Sequence, residues 1–393
     1  MRILIVHVHY RNRGGEDVVV DAEATLLRDA GHDVRVYETT NPDGTDAART
    51  VLRSSWNTAS ARRVQAELRM FRPDVVHVHN TWFTLSVSIL AVIRTSGIPL
   101  VMTLHNYRAM CVDASLLRDG KVCRDCVGTT PIRGVLHGCY RDSRGQSAIA
   151  AVALTTARLR RIWEAVDVFI APSEHLKAIH VEHGFAQASI VVKPHFVEPS
   201  SLRAAPPGAS NTLVFAGRLA PGKGILAMLG AWNAAALNEM TLHVFGDGPL
   251  REVAELEAAP DVVFHGHQTL AITRAAISTA RALVFPSEWL EPFGVVLIEA
   301  MAAGTPIVGF DTADTASIVG DAGELVTTSD VTALANALRA LTPERADRLG
   351  THARSRHTEL FSPPRNLVEL EAIYALAIKR CAARPNESSP RVE

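Results

Sequence analysis

Aromatic side chains are scarce, at 6% of 393 residues, and neither sign of charge prevails: 40 Lys and Arg stand against 41 Asp and Glu. A formal charge of -1 excludes a general nucleic-acid binder, which needs a clustered basic excess. Long apolar runs are missing as well. The longer ones, 86–93 and 148–157, fall well short of the ~20 residues that cross a bilayer. The start, Met1-Arg2-Ile3-Leu4-Ile5-Val6-His7-Val8-His9, has a strand-length apolar stretch followed by Arg11 and Arg13. With no small-residue cleavage site, it reads as a strand and not as an export signal. Five cysteines without such a signal lead to the expectation of a reducing cytoplasm, where thiols bind metal or lie buried more often than they pair. The remaining composition, 47% apolar and 21% charged, excludes collagenous, coiled-coil and fully disordered chains. At ~150 residues per domain the length allows two or three domains, each able to bury a core without disulfides or metal.

The recurring unit is a short β-branched run, a Gly- or Pro-bearing turn, then a helical pattern. Strands are expected over 3–8, 34–37, 75–78, 100–104, 168–171 and 190–192. After the first, Val19, Ala22, Leu26 and Ala30 fall at helical spacing and Gly31 closes the helix. A Pro-, Ser- and Ala-rich stretch then precedes a second series of strands over 213–216, 242–245, 262–265, 283–285 and 306–309. Alternating strands and helices imply parallel sheets covered on both faces. The fold class is therefore α/β, with two doubly wound Rossmann-like domains facing across a deep cleft. The expected boundaries are an N-terminal domain over 1–195, a linker over 196–211 and a C-terminal domain over 212–364. A last helix over 365–383 and a disordered tail over 384–393 follow. Ligands of such sheets sit in the loops after the strands, at the point where strand order reverses.

Three of those loops carry chemistry. After the first strand, Arg11-Asn12-Arg13-Gly14-Gly15-Glu16-Asp17 leads paired glycines into a helix, whose N-terminus attracts anions. It is not a G-x-G-x-x-G fingerprint, so a dinucleotide is not indicated, and a plain tight turn stays open. The second domain opens with Gly217-Arg218-Leu219-Ala220-Pro221-Gly222-Lys223-Gly224, where Arg can clamp a phosphate bidentately and Lys adds a mobile charge. Solvated charges in a Gly/Pro loop are the plainer reading. Gly246-Asp247-Gly248-Pro249 makes another loop-to-helix turn. In 286–301, Glu291 and Glu299 are separated by seven residues, with a helix starting near Gly294. Glu299 then lies just over one turn inside an apolar helix, where an unpaired carboxylate is costly. Paired carboxylates can hold the vicinal hydroxyls of sugars; a structural ion pair is the alternative for Glu299.

Gly14-Gly15, His105, Gly217-Arg218 with Lys223, and the Glu291…Glu299 pair, in this order and spacing, resemble the family-4 retaining glycosyltransferases of GT-B fold. The resemblance runs from about Met1 to Lys379. It implies a nucleoside-diphosphate sugar donor (UDP-, GDP- or ADP-linked) and a hydroxyl acceptor on a glycan, glycolipid or small metabolite. It places Glu299 on the nucleotide ribose, Arg218 and Lys223 on the diphosphate, and Glu291 on the donor sugar, helped by backbone amides near Phe293, Gly294 and Val295. Gly15 would contact the distal phosphate or sugar, with Gly14, Gly217 and Gly248 also donor-side. His105 matches the family histidine close to the anomeric centre, with a core histidine as the alternative. His77 and His79 are divided between packing and acceptor contact. No D-x-D carboxylate pair stands at a suitable position, so the leaving group would be neutralised by Arg218, Lys223 and the helix dipole near Gly294, without a catalytic metal. Two other readings stay open: a nucleotide-sugar epimerase or phosphorylase on the same scaffold, and a non-catalytic nucleotide-sugar-binding partner subunit.

Two features stand outside that set. Cys111, Cys123, Cys126 and Cys139, spaced C-x11-C-x2-C-x12-C in an insertion over 106–145, can make a tetrahedral structural zinc site. Unbonded cysteines and redox-labile pairing are the alternatives. Arg49, Arg53, Arg62, Arg63, Arg69 and Arg72, with Trp56 and Phe71, make a basic amphipathic stretch. It is either a solvated helix face or a dock for anionic lipid on the inner face of the membrane, which would suit a lipid-linked acceptor.

Overall fold

Every β-branched run named above forms a strand in the computed structural model, which describes residues 1–9, 14–41, 54–201 and 203–384. In one sheet lie β1 (Arg2–His9), β2 (Asp33–Thr40), β3 (Val75–Val78), β4 (Leu100–Thr103), β7 (Val168–Ala171) and β8 (Ile190–Val192), in the order β2-β1-β3-β4-β7-β8. Between β4 and β7 come the two-residue strands of a hairpin, β5 (Leu117–Arg118) and β6 (Lys121–Val122). The other large sheet holds β9 (Thr212–Ala216), β10 (Thr241–Phe245), β11 (Val262–Gly266), β12 (Ala282–Phe285), β13 (Ile307–Asp311) and β14 (Gly323–Thr327), in the order β11-β10-β9-β12-β13-β14. Neighbouring strands of both large sheets run parallel. Helices cover such sheets on both faces, and β3, β4, β7 and β12 are buried at every position.

The chain divides into two units, one of 1–115, 124–193 and 367 onward, the other of 116–123 and 194–366. This corrects three expected boundaries. The segment over 196–211 is part of the second unit, not a loose linker: Phe196 and Val197 are buried, and Arg203 bonds the Thr305 hydroxyl at 2.6 Å and the Ala280 carbonyl at 2.7 Å. The last helix, Pro363–Ala382, belongs to the first unit from Leu367 onward, where Leu370, Ile373, Tyr374 and Ala377 pack with Ile3, Ile5, Val75 and Val101. Of the expected tail, Arg384 is held by Asp167, and 385–393 lie outside the described residues. The hairpin and β14 are additions to the expected strands. Two-residue strands carry no readable period, and β14 is only half-buried at the sheet's edge.

Helix Gly15–Asp29 buries a different stripe from the one expected. Val19, Val20, Ala24 and Leu27 turn inward together with Asp17 and Glu23, while Ala22 and Leu26 are half-buried and Ala30 is exposed. Two acids on a buried face demand partners. Asp17 finds them on its own unit: His7 Nε2 and His9 Nδ1 donate to Oδ1 at 2.9 and 2.8 Å, and the Gly14 N–H donates to Oδ2 at 2.8 Å. Burial alone would raise this carboxyl, but the bonds from His7, Gly14 and His9 outweigh it and hold the pKa at about 2. A folded value below the unfolded one stabilises the fold above pH ~4 and is lost as pH falls towards 2, a contribution of about 2 kcal/mol. Asp17→Asn should therefore lower stability at neutral pH by about 2 kcal/mol and flatten its decline between pH 4 and 2, measured by urea unfolding across that range.

Candidate functional site

Strand order in the second unit reverses between β9 and β12, so their following loops stand side by side. The loop after β9 carries Gly217, exposed Arg218, buried Leu219, Lys223 and Gly224, and leads into helix Ile225–Ala235. The loop after β12 carries Glu288, Trp289, Glu291 and Phe293 into helix Val295–Ala303. The two are tied through backbone: the N–H groups of Glu288 and Trp289 donate to the Gly222 carbonyl at 2.8 and 3.2 Å. Gly224 has φ +73°, and a Cβ there would lie 1.7 Å from the Pro286 carbonyl oxygen. Only glycine permits this approach. The loop after β10 joins them, with the Leu219 N–H donating to the Asp247 carbonyl at 3.0 Å, and it sets Gly248 against Leu219 and Gly246 against Gly217.

These ties converge on one ion pair. Lys223 Nζ stands 2.6 Å from Glu291 Oε2, and the Trp289 indole N–H donates to the same oxygen. The ammonium also lies 4.8 Å from the centre of the Trp289 ring, within cation–π range. Beyond it, Gly294 (φ +81°) caps the helix, and half-buried Gly294, Val295 and Val296 form its N-terminal turn. Phe293 is buried edge-on against His195, with ring centres 5.1 Å apart. One turn further in, Glu299 is 7% exposed and holds Arg274, with Nε at 3.0 Å and Nη2 at 2.8 Å from Oε1. Burial raises the Glu299 carboxyl and the Arg274 guanidinium opposes that rise. Near the end of β11, the His265 ring stacks on Phe245 at 4.3 Å and on His243 at 5.1 Å.

In the first unit, His105 follows β4 and His79 follows β3, on neighbouring strands. His105 Nε2 is 3.0 Å from His79 Nδ1, and both line a cavity with Asn80, Trp82, Arg108 and Leu154. His77 is fully buried, bonded to Thr103 at 2.8 Å and to Tyr374 at 3.0 Å, so packing and not acceptor contact is its role. Gly14 and Gly15 begin helix Gly15–Asp29; the preceding Arg11-Asn12-Arg13 lies outside the described residues.

Among the described residues, two groups bring three ligand atoms within reach of one ion: His7, His9 and Asp17, and Glu23, His77 and His79. In the first, Asp17 is already bonded by both imidazoles. In the second, the Lys193 ammonium 2.9 Å from Glu23 opposes a further cation. Cys111, Cys123, Cys126 and Cys139 form no such group, and the unit boundary runs between Cys123 and Cys126. All four are free thiols, with Cys126 buried and Cys111, Cys123 and Cys139 half-buried.

Four charged or aromatic residues of these clusters were not anticipated: Trp289, Arg274, Glu23 and Lys193. Arg274 is the one charged residue in helix Leu270–Thr279, which is a usable signal, and Glu23 falls at i+3 and i+4 from Val20 and Val19 on the buried stripe. Trp289 and Lys193 carry no such mark.

Family models match both units: Glycosyltransferase Family 4 over residues 13–201 and Glycosyl transferases group 1 over residues 210–343. The chain belongs to the family-4, group 1 glycosyltransferases. It is 27% identical to a phosphatidyl-myo-inositol mannosyltransferase of Mycolicibacterium smegmatis, covering 87% of this chain and 84% of that one. It is equally 27% identical to a glycogen synthase of Mycobacterium tuberculosis, covering 100% and 99%. A sucrose-phosphate synthase from Thermosynechococcus elongatus superposes with TM-score 0.70 at 17% identity, covering 95% of this chain and 98% of that one. HepE of Anabaena, in complex with UDP and glucose, does so with TM-score 0.66 at 16% identity over 95% and 99%. These likenesses and the two parallel sheets show the GT-B fold. In this glycosyltransferase, Gly224→Ala should cost about 2–4 kcal/mol in chemical denaturation, because the methyl group displaces the β9 loop from Pro286.

Proposed function

We propose that the protein is a retaining, metal-independent glycosyltransferase that moves a hexosyl group from a nucleoside-diphosphate sugar to a hydroxyl acceptor. The observation that carries this reading is the Lys223–Glu291 pair at the switch point of the second sheet. There the ammonium exchanges its carboxylate for a pyrophosphate oxygen, Arg218 grips the same group, and Glu291 turns to the sugar hydroxyls. The N-terminal N–H groups of helix Val295–Ala303 add partial positive charge where the leaving group develops its negative charge. Glu299 accepts from the ribose hydroxyls, and His105 holds a hydroxyl of the transferring sugar.

In the reaction, the bond from the anomeric carbon to the phosphate oxygen breaks and its electron pair leaves with the nucleoside diphosphate. The acceptor oxygen attacks from the same face, so the anomeric configuration is kept. The hydroxyl proton passes to the departing phosphate oxygen, which explains why no separate base is needed. Cations fixed before the reaction do the work of charge neutralisation.

Lys223→Ala and Glu291→Ala should each lower kcat about 10²–10³-fold in a donor-turnover assay, and equal rates in wild type and variants would refute the catalytic reading. A donor present at about 100 times its Kd stabilises by about 2.7 kcal/mol, so thermal shifts with UDP-, GDP- and ADP-sugars identify the base. NMR of the product's anomeric proton reads retention directly.

The acceptor is proposed to be carried on lipid. Helix Thr58–Phe71 exposes Arg62, Arg63, Arg69 and Met70, and Arg72 follows it; Arg49 and Arg53 lie outside the described residues. Phe71, expected on the same face, instead turns inward beneath Arg2 and Arg35, whose guanidinium carbons lie 4.9 and 4.5 Å from its ring centre. Contact with a bilayer therefore rests on charge: at roughly 1 kcal/mol per arginine, binding to vesicles containing phosphatidylglycerol should vanish in Arg62→Glu/Arg63→Glu/Arg69→Glu or in high salt. Sedimentation with neutral phosphatidylcholine vesicles as strong as with anionic ones would refute it.

A further inference from the structure

Behind His105 lies a line of buried groups that the reaction above does not use. His105 Nε2 is 3.0 Å from His79 Nδ1, with the rings stacked at 5.2 Å. On its other edge, His79 Nε2 lies 3.5 Å from Glu23 Oε2. The second oxygen of Glu23 is 2.9 Å from Lys193 Nζ, and both side chains are 1% exposed. The line runs from the cavity wall to a buried ion pair, through the carboxyl ends of β4 and β3 to helix Gly15–Asp29 and the residue that follows β8.

We propose that Glu23 and Lys193, acting through His79, fix the tautomer of His105 with its proton on Nε2 and its lone pair on Nδ1. The argument moves outward one atom at a time. Lys193 keeps Glu23 as a carboxylate, because the ammonium beside it is the compensating charge in a site closed to the surface. A carboxylate facing His79 Nε2 requires a proton there; a lone pair in that place would set two electron-rich atoms against each other in a low-dielectric interior. A neutral His79 then offers Nδ1 as an acceptor, so the hydrogen shared with His105 must come from His105 Nε2. The remaining possibility for His79 is the imidazolium. The surroundings disfavour it: the carboxylate beside His79, Glu23, is already balanced by Lys193, the other buried one, Asp17, is bonded by His7 and His9, and His79 has a side chain with no exposure. His77, whose ring centre is 4.1 Å away and whose Nδ1 is 3.8 Å from the same Glu23 oxygen, is kept neutral by burial, with its pKa pushed down to about 4. Tyr374 and Thr103, the partners of His77, are uncharged donors and acceptors that leave this balance intact.

The consequence is a polarity for His105. It is an acceptor, suited to a hydroxyl that donates to it, and not a proton donor to a leaving group. Glu23, His79 and Lys193 are positioning residues, since none of them needs to touch substrate. This inference rests on the reading that His105 contacts the transferring sugar, but the tautomer can be measured without that reading.

The test is long-range proton–nitrogen NMR of the full-length protein labelled with ¹⁵N-histidine, the His105 signals being those lost in His105→Gln. At neutral pH, a protonated Nε2 and an unprotonated Nδ1 are expected for His105; a protonated Nδ1, or an imidazolium, would overturn the proposal in the wild-type protein alone. Glu23→Gln/Lys193→Met removes both charges together, so neither is left buried alone. In that variant the His105 signals should move towards a tautomer mixture, and kcat should fall about tenfold while affinity for the free nucleoside diphosphate is kept. Unchanged His105 signals in the folded double variant would show that the ion pair does not set the tautomer. A fully active His105→Gln enzyme, beside a wild-type protein with the expected signals, would remove the sugar contact and leave the relay standing.

Discussion

A lysine ammonium and a glutamate carboxylate 2.6 Å apart occupy the end of the second sheet's switch point, and the surrounding loops are built to keep them there. The side chains are 28% and 15% exposed, so this pair is neither a surface decoration nor a sealed core contact. That intermediate burial matters. An exposed pair contributes about 0–1 kcal/mol and is readily exchanged, whereas a sealed one is costly to open. A pair between these limits is held in shape and stays open to exchange with a ligand.

The first unit shows the opposite solution. Glu23 and Lys193 are sealed, each 1% exposed, and no ligand can take either partner without leaving the other charge stranded. Such a pair is a poor binder and a good anchor. Its two charges are set by residues on separate strands and helices of one unit, so it polarises whatever is stacked in front of it. The same polypeptide thus uses one kind of interaction for two purposes, and the difference between them is decided by depth alone.

Depth is also what separates the legible from the illegible in the sequence. The parallel sheets were readable because buried strands write themselves as short runs rich in β-branched and other apolar residues, as in 75–78 and 168–171. The placement of Lys223 and Glu291 in loops and of Glu299 inside a helix was readable because glycines and a proline mark where those loops end and the helix begins. Glu23 was not read, because a polar residue on a helix is by default assigned to the wet face, and the alternative stripe through Val19, Ala22 and Leu26 was equally periodic. The two stripes differ by one position, and only the partners across the unit, His79 and Lys193, decide between them. The cysteine spacing is silent on position for a related reason. Four thiols in thirty residues are close along the chain, but the short hairpin between Leu116 and Cys123 belongs to the second unit, and spacing says nothing of such a division.

The proposed reading gives the helix Val295–Ala303 two recognition tasks within a short stretch of sequence. Its first turn offers unsatisfied N–H groups at Gly294–Val296, and the loop before it is fixed by buried Phe293. Four residues on from Val295, a rise of about 6 Å, Glu299 emerges among Leu297, Ile298 and Ala300. An anion at the helix end and hydroxyls at its flank are then separated by roughly the span between a pyrophosphate and the far hydroxyls of its ribose. Apolar neighbours raise the Glu299 carboxyl, and Arg274 works against them from the adjacent helix. If burial acted alone, the acid would be driven towards its neutral form and would accept hydrogen bonds less well; if the arginine were also buried, the pair would be sealed as Glu23 and Lys193 are. Arg274 is 40% exposed, which leaves its hold on Glu299 screened by water and open to competition from a ligand. A hydroxyl-binding carboxylate in this position needs a partner of that strength, near enough to oppose desolvation and wet enough to be displaced.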